Sequence, residues 1–170
     1  MQVLGQVPFG DGDPAFDVFA IADGEFARVV TEGLQRRPQP GLPPDHPAAQ
    51  LEFYTYLHAG EARRLGPVMR IVGTLAQAVH SLRTPVSGLD TMQLPLDEGV
   101  TLYFALLDLG ARATDSPSVA FLNVIPLTPN DYLRARDGGL EAYWASLPPM
   151  SGKDRGEAAW RNVFEHMLRP

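Results

Sequence analysis

The chain is 170 residues long, has a net charge of −6 and contains no cysteine. This length predicts a single domain over residues 1–170, with its core at about residues 16–168. The missing cysteines exclude disulfides and thiolate metal sites, and they fit a reducing cytoplasm. The acidic balance without a basic run argues against nucleic acid, and the apolar runs are too short to cross a membrane.

The first third of the chain is predicted to form a loose segment followed by three strands. Residues 1–15 are rich in Gly, Pro and Asp, and without a basic start or a long apolar stretch they are not expected to act as a signal peptide. Asp23-Gly24 is a hairpin signal, and the five prolines of residues 35–47 fit neither a helix nor a central strand. Apolar and polar residues then alternate from Ala48 to Ala59. We expect the strands at residues 16–22, 25–34 and 49–58.

The middle of the chain is predicted to form one long helix and two further strands. Apolar residues recur every three or four positions over residues 60–83, with Pro67 placed near the beginning of that helix. Residues 84–96 form a connection with room for one short strand near residues 91–94. The apolar run at residues 101–109 could be a short helix, but its length and flanking glycines favour a strand.

The last third begins with an apolar strand that runs directly into a helix. The strand covers residues 118–127, and Thr128, Pro129 and Asp131 then form a helix start signal. Residues 129–147 are predicted as a helix interrupted at Gly138-Gly139, and residues 153–168 as a final amphipathic helix. The order of elements predicts an α+β domain with a mixed or mainly antiparallel sheet and helices packed on it.

Four motifs in this order resemble the Suppressor of Fused-like domain, in its compact bacterial single-domain form. They are the strand Phe26–Leu34 ending in Thr-Glu-Gly-Leu, the strand Gln50–Tyr54 with its central glutamate, the apolar strand Phe121–Thr128, and Asp131-Tyr132 followed by Gly138–Ala142. The resemblance implies a non-catalytic domain that binds another protein or an extended peptide. Bacterial members of that family are inferred to be immunity proteins that neutralise a cognate toxin.

Nothing in the sequence forms a recognisable catalytic site, and we expect no cofactor and no metal. The segment Ser151–Asp154 lacks the glycine and the hydroxyl residue of a phosphate loop, and Asp11, Asp13 and Asp17 lack the remaining ligands of a calcium loop. The four histidines show no zinc-ligand spacing. A small hydrolase or transferase with a dispersed active site stays open as the alternative, as does a purely structural accessory domain.

The predicted protein-binding residues lie on one strand face and in the adjoining proline loop. Tyr54, Tyr56 and His58 share the polar face of the third strand with Glu52, unless a helix covers that face. Polar residues of the loop extend the same predicted surface: Arg36, Arg37 and His46. Glu52 is expected either to be exposed on this face or to be buried and paired with an arginine such as Arg28.

Overall fold

The structure is a computed structural model that describes residues 2–10, 15–46, 49–81, 85–96, 99–113 and 116–166. Within these residues the chain forms one seven-stranded sheet and four α-helices. The strands are β1 (Val3–Phe9), β2 (Phe16–Asp23), β3 (Phe26–Glu32), β4 (Leu51–His58), β5 (Asp90–Pro95), β6 (Thr101–Ala113) and β7 (Ser116–Leu127). The helices are α1 (Ala62–Ser81), α2 (Pro129–Gly138), α3 (Leu140–Ala145) and α4 (Gly152–His166), and a 3₁₀ turn covers Leu34–Arg36.

The sheet is mixed, as the sequence predicts, with a single parallel pairing among the described strands. The strand order is β1-β2-β3-β4-β7-β6-β5. β4 and β7 run parallel, and all the other neighbours are antiparallel. The parallel pairing covers only residues 51–54 of β4 and 120–123 of β7. The second half of β4 therefore has a neighbouring strand on its β3 side alone.

The two faces of the sheet are covered by different helices. The helix α1 packs its apolar stripe on one face of β1 to β4, where it forms the larger cluster together with Trp160 and Val163 of α4. On the opposite face, α2 and α3 cover the β6 and β7 side with a smaller cluster around Ile125 and Tyr132. The rest of that opposite face stays partly exposed. We call it the open face and define it by the half-buried residues Phe19, Phe26, Arg28, Val30 and Tyr56.

All five strands predicted from the sequence are present, including residues 101–109, and so is the short strand near residues 91–94. The prediction of a loose segment over residues 1–15 is wrong in part, because β1 occupies Val3–Phe9. Pairing with β2 supplies the hydrogen bonds of β1, and the ring of Phe9 stacks on Phe16 with centroids 5.4 Å apart. Gly and Pro in this segment argue against a strand in the sequence, and β1 forms because it pairs with β2.

The predicted helices are confirmed, with a shifted start for the longest one. The helix α1 begins at Ala62, so Pro67 lies inside the helix rather than near its first residue. The turn before Pro67 places Leu65 against the core. This packing compensates for the helical hydrogen bond that is lost because Pro67 has no backbone N–H. The break between α2 and α3 falls at Gly139, whose φ is 85°. The predicted residues 82–83 and 167–168 lie outside the described part of the chain.

The predicted helix start after β7 is confirmed in detail. The hydroxyl of Thr128 accepts a hydrogen bond from the backbone N–H of Asp131 at 3.1 Å and donates to the Asp131 carboxylate at 2.7 Å. Pro129 occupies the first turn, where its missing N–H costs nothing. This cap fixes the point at which the chain leaves the sheet and turns onto its covered face.

Candidate functional site

The predicted binding face of β4 is divided into a buried part and an accessible part. Tyr54 is only 7% exposed, whereas Tyr56 is half-buried and His58 is exposed. The placement of Tyr54 on an exposed face is therefore wrong. Tyr54 lies opposite Val30 of β3 and opposite Asn123 at the last residue pair between β4 and β7. Tyr54 has a paired strand on each side and its ring contacts that of Tyr56 at a centroid distance of 5.8 Å, whereas Tyr56 lies beyond the pairing of β4 with β7.

The helix α4 packs against the unpaired second half of β4. The indole N–H of Trp160 donates a 2.8 Å hydrogen bond to the hydroxyl of Thr55, and both residues are fully buried. A Cβ on Gly156 would lie 3.5 Å from the backbone nitrogen and oxygen of Tyr56, so the helix approaches the strand backbone closely. This contact brings the first turn of α4, with Lys153, to the end of the open face.

Four side chains meet there and form what we call the aromatic patch: Phe26, Tyr56, His58 and Lys153. The ring of Phe26 makes edge-on contacts with Tyr56 and with His58, at centroid distances of 6.3 Å in both cases. The ammonium of Lys153 lies 5.3 Å from the centroid of Tyr56 and 5.9 Å from that of Phe26. A 2.9 Å ion pair with Asp23 holds Lys153 in this position. The patch combines rigid rings with one fixed cation.

A pocket of about 250 Å³ adjoins the patch at His58. Its lining is mainly apolar and comes from β1, β3, the end of β4 and the start of α1: Leu4, Ala27, His58, Ala59, Glu61, Ala62 and Leu65. The backbone N–H of Gly60 donates to Nδ1 of His58 at 3.1 Å. The neutral imidazole therefore carries its proton on Nε2. The pocket has room for one side chain of a partner.

The predicted loop residues lie at the other end of β4. Arg36, Arg37 and His46 are exposed. Their loop is anchored beside the start of β4, where the backbone N–H of Gln35 donates to Glu52 at 3.2 Å. The strand then runs about 20 Å before it reaches His58. The structure therefore does not bring the loop residues together with the aromatic patch, and only Tyr56 and His58 of the predicted set belong to it.

Glu52 is buried, but its partners differ from the predicted one. Its carboxylate accepts hydrogen bonds from the hydroxyl of Thr31 at 2.5 Å and from the backbone N–H of Gly33 at 2.9 Å, besides the N–H of Gln35. A pair with Arg28 is therefore wrong. Burial raises the pKa of Glu52, and the hydrogen bonds from Thr31 and the backbone oppose that shift. Glu52 stabilises the turn at which the proline loop begins.

Phe26 and Lys153 belong to the site although the sequence did not single them out as binding residues. The hairpin at residues 23–24 places Phe26 opposite Asp23 of β2, whereas its position opposite His58 depends on the pairing of β3 with β4. Lys153 reaches the patch only through the packing of α4 on β4, for which the sequence contains no signal. The segment around it forms a helix cap, in which the hydroxyl of Ser151 accepts from the backbone N–H of Asp154.

An open groove of about 600 Å³ lies elsewhere, between α2 and α3, and is lined by Leu133, Arg134, Asp137, Gly138, Ala142, Tyr143 and Ser146. Among the described residues, no group of three His, Asp or Glu side chains could hold a metal ion. Over the same residues, none of the helices combines the length and the apolar character that crossing a bilayer requires. Asp11 and Asp13 of the rejected calcium motif lie outside the described part of the chain.

A scan of the chain against protein-family models finds no match. A search of the curated proteins finds no related sequence either. The resemblance to the Suppressor of Fused-like domain therefore stays a prediction that rests on the four sequence motifs.

Proposed function

We propose that this chain is a non-catalytic, cytoplasmic protein-binding domain that recognises its partner through the aromatic patch. One observation supports this proposal above the others: Phe26, Tyr56 and His58 contact one another at an accessible end of the sheet, with Lys153 fixed above them. Aromatic side chains supply large contact areas and lose little conformational entropy on binding. Their position on paired strands keeps them in place before the partner arrives.

The surroundings of the patch suit an extended segment of a partner protein. A segment that crosses Tyr56 and passes around the end of β4 at His58 could place one side chain in the 250 Å³ pocket, whose other lining residues lie on the α1 side of the sheet. The family resemblance suggests binding of an extended peptide, and it makes a toxin one class of partner for an immunity protein. The net charge of −6 would speed association with a basic partner.

The alternative, a small hydrolase or transferase, would use the same pocket. His58 and Glu61 are the titratable side chains in its lining, and both belong to the end of β4 and the turn that follows it. An enzyme of this kind would lose its turnover in a His58→Gln variant. A binding domain would keep its partner with reduced affinity, because one ring of the patch is lost while Phe26 and Tyr56 remain in contact.

The first test uses the partner isolated with the tagged chain from its native host. We expect Tyr56→Ala to weaken binding by about 2 kcal/mol, roughly 30-fold, because an aromatic anchor at the centre of an interface is lost. Phe19→Ala is the matched control, since Phe19 is half-buried on the same open face but lies outside the patch. Calorimetry gives both affinities, and thermal melting shows whether each variant is folded.

A Tyr54→Ala variant distinguishes the buried position of Tyr54 in the structure from its predicted role as an exposed binding residue. Because Tyr54 is buried, Tyr54→Ala should lower the melting temperature rather than act on the partner directly. Affinity that is unchanged in a folded Tyr56→Ala variant would exclude the patch as the binding site. Equal losses in the Tyr56→Ala and Phe19→Ala variants would contradict a contact centred on the patch.

A further inference from the structure

Arg28 lies on the open face immediately beside the aromatic patch. It is on β3, directly opposite Ile21 of β2 and Tyr56 of β4. The residue is half-buried, and its Nε is buried without a hydrogen-bond partner among the described residues. Nor does any carboxylate of the described residues form an ion pair with its guanidinium. Arg28 is therefore a partly desolvated cation without a counter-ion in the described part of the chain.

Several other basic side chains of this acidic chain have carboxylate partners, whereas Nε of Arg155, like that of Arg28, is buried without a hydrogen-bond partner among the described residues. Arg64 pairs with Glu61, Arg161 with Glu157, and Lys153 with Asp23. Removing part of the hydration of a guanidinium without supplying a partner is unfavourable. A buried polar atom without a partner in a folded protein calls for an explanation, and a bound ligand is one. The position of Arg28 within a face of half-buried aromatic residues suits a ligand that arrives together with the partner.

The charges around Arg28 define the ligand that would fit. Lys153 is a second cation close enough to interact with Arg28, but it is paired with Asp23. Arg28 forms no ion pair with a carboxylate of the described residues, and the charge of Asp108 acts on the adjoining Tyr54. The hydroxyls of Tyr54 and Tyr56 lie on the neighbouring strand. Burial, with smaller effects of Tyr56 and Asp108, raises the pKa of Tyr54 to about 12, so its hydroxyl stays protonated at neutral pH. A guanidinium with a single uncompensated charge matches one carboxylate better than a phosphate dianion.

We propose that Arg28 binds the carboxylate of an aspartate or glutamate side chain of the partner protein. This inference rests on the proposed function, because it names the chemistry of one contact beside the aromatic patch. The partner segment would lie over Tyr56 and direct an acidic side chain towards β3. A bidentate pair with the guanidinium would supply direction as well as attraction.

The first experiment needs no partner. Arginine Nε–Hε signals of the ¹⁵N-labelled chain are followed by NMR while sodium acetate replaces sodium chloride at constant ionic strength. The signal of Arg28, assigned by its absence in an Arg28→Met variant, should shift saturably in the millimolar range. The signal of Arg161, which is paired with Glu157, is the control and should stay in place. A non-saturable or equal shift of both signals would overturn the proposal, as would tighter binding of inorganic phosphate than of acetate.

The second experiment uses the isolated partner. Arg28→Met should reduce its affinity at least tenfold, with Arg161→Met as the matched control that leaves affinity unchanged. The Arg28→Met variant should melt at the same or a higher temperature than the parent chain, because an unpaired, partly desolvated charge is removed. Normal partner affinity in this variant, with a large loss in Tyr56→Ala, would refute the carboxylate contact and leave the proposed function standing. An acetate site at Arg28 with no effect of Tyr56→Ala on the partner would refute the proposed function instead.

Discussion

At the scale of single residues, the buried carboxylate of Glu52 illustrates how a strand position acquires a structural role. Its carboxylate oxygens accept hydrogen bonds from the hydroxyl of Thr31 and from the backbone N–H groups of Gly33 and Gln35. Gly33 adopts a φ of 107°, which points its N–H at the carboxylate and which a side chain would disfavour. Glu52 thus holds the turn between β3 and the proline loop, where the Oε1 of Gln35 is a second acceptor for the N–H of Gly33 at 3.0 Å.

Replacing Glu52 should be costly for stability. We expect Glu52→Ala to lower the free energy of unfolding by about 3 kcal/mol, because the buried hydroxyl of Thr31 and the N–H of Gln35 lose the carboxylate acceptor. The N–H of Gly33 keeps the Gln35 side chain as its acceptor. Glu32→Ala is the matched control on the neighbouring strand and should change stability by about 0.5 kcal/mol or less, since Glu32 is exposed. Urea unfolding measures both values. Similar small losses in the two variants would show that the hydrogen bonds of Glu52 contribute little.

The charge of Glu52 predicts a pH dependence of known sign. Its pKa in the folded chain is raised above the ordinary value of 4.5, chiefly by burial. The protonated form is therefore favoured by folding, and its contribution is complete below pH 4.5 and lost as the pH rises through the raised pKa. Relative to a Glu52→Gln variant, the parent chain should lose stability as the pH rises from 4 to 7, as measured by urea unfolding. A relative gain over that range would mean that the hydrogen bonds outweigh desolvation.

At the scale of elements, two helical glycines serve different purposes in how α1 and α4 meet the sheet. In α1, a Cβ on Gly73 would lie 2.1 Å from the nearest ring atom of Phe9, so the missing side chain makes room for β1. In α4, a Cβ on Gly156 would meet the backbone of Tyr56 at 3.5 Å, an ordinary contact distance. Periodicity alone treats both residues as weak points of a helix.

The two glycines should therefore respond oppositely to alanine. Gly73→Ala should lower the free energy of unfolding by about 1–3 kcal/mol, because the ring of Phe9 is held between α1 and Phe16 and cannot move aside freely. Gly156→Ala should raise it by about 0.5–1 kcal/mol through helix propensity. Thermal or urea unfolding gives both values. In a Phe9→Ala background, the cost of Gly73→Ala should vanish, and a cost that persists there would contradict the proposed clash.

Elements that depend on local sequence patterns could be predicted, whereas those that depend on contacts between distant strands could not. Alternation and bounded apolar runs depend on local spacing, so β2, β3, β4, β6 and β7 were predictable, as were the cap at Thr128 and the break at Gly139. β1 was not, because its Gly and Pro content is compensated only by pairing with β2. The burial of Tyr54 was not predictable either, since it depends on β7 lying beside β4, and the chain does not encode strand order locally.

At the scale of the whole molecule, the arrangement of helices determines which surface can bind. α1 covers one face of the sheet, α2 and α3 cover part of the other, and α4 packs on β4 and β7 with its first turn at the patch. Three surfaces remain as candidates within the described chain: the aromatic patch, the proline loop at the opposite end of β4, and the groove between α2 and α3. Only the patch combines contacting rings, a fixed cation and an adjoining pocket.

Site-specific photo-crosslinking to the partner tests most directly whether the aromatic patch, rather than the proline loop or the groove, is the binding surface. A photoreactive phenylalanine analogue would replace one exposed residue on each surface: His58 at the patch, Arg37 in the proline loop, and Leu133 in the groove. All three positions are exposed, so reactivity differs only through the location of the partner. We expect a covalent product from position 58 and none from positions 37 and 133. Products from position 37 or 133 without one from position 58 would contradict recognition through the aromatic patch.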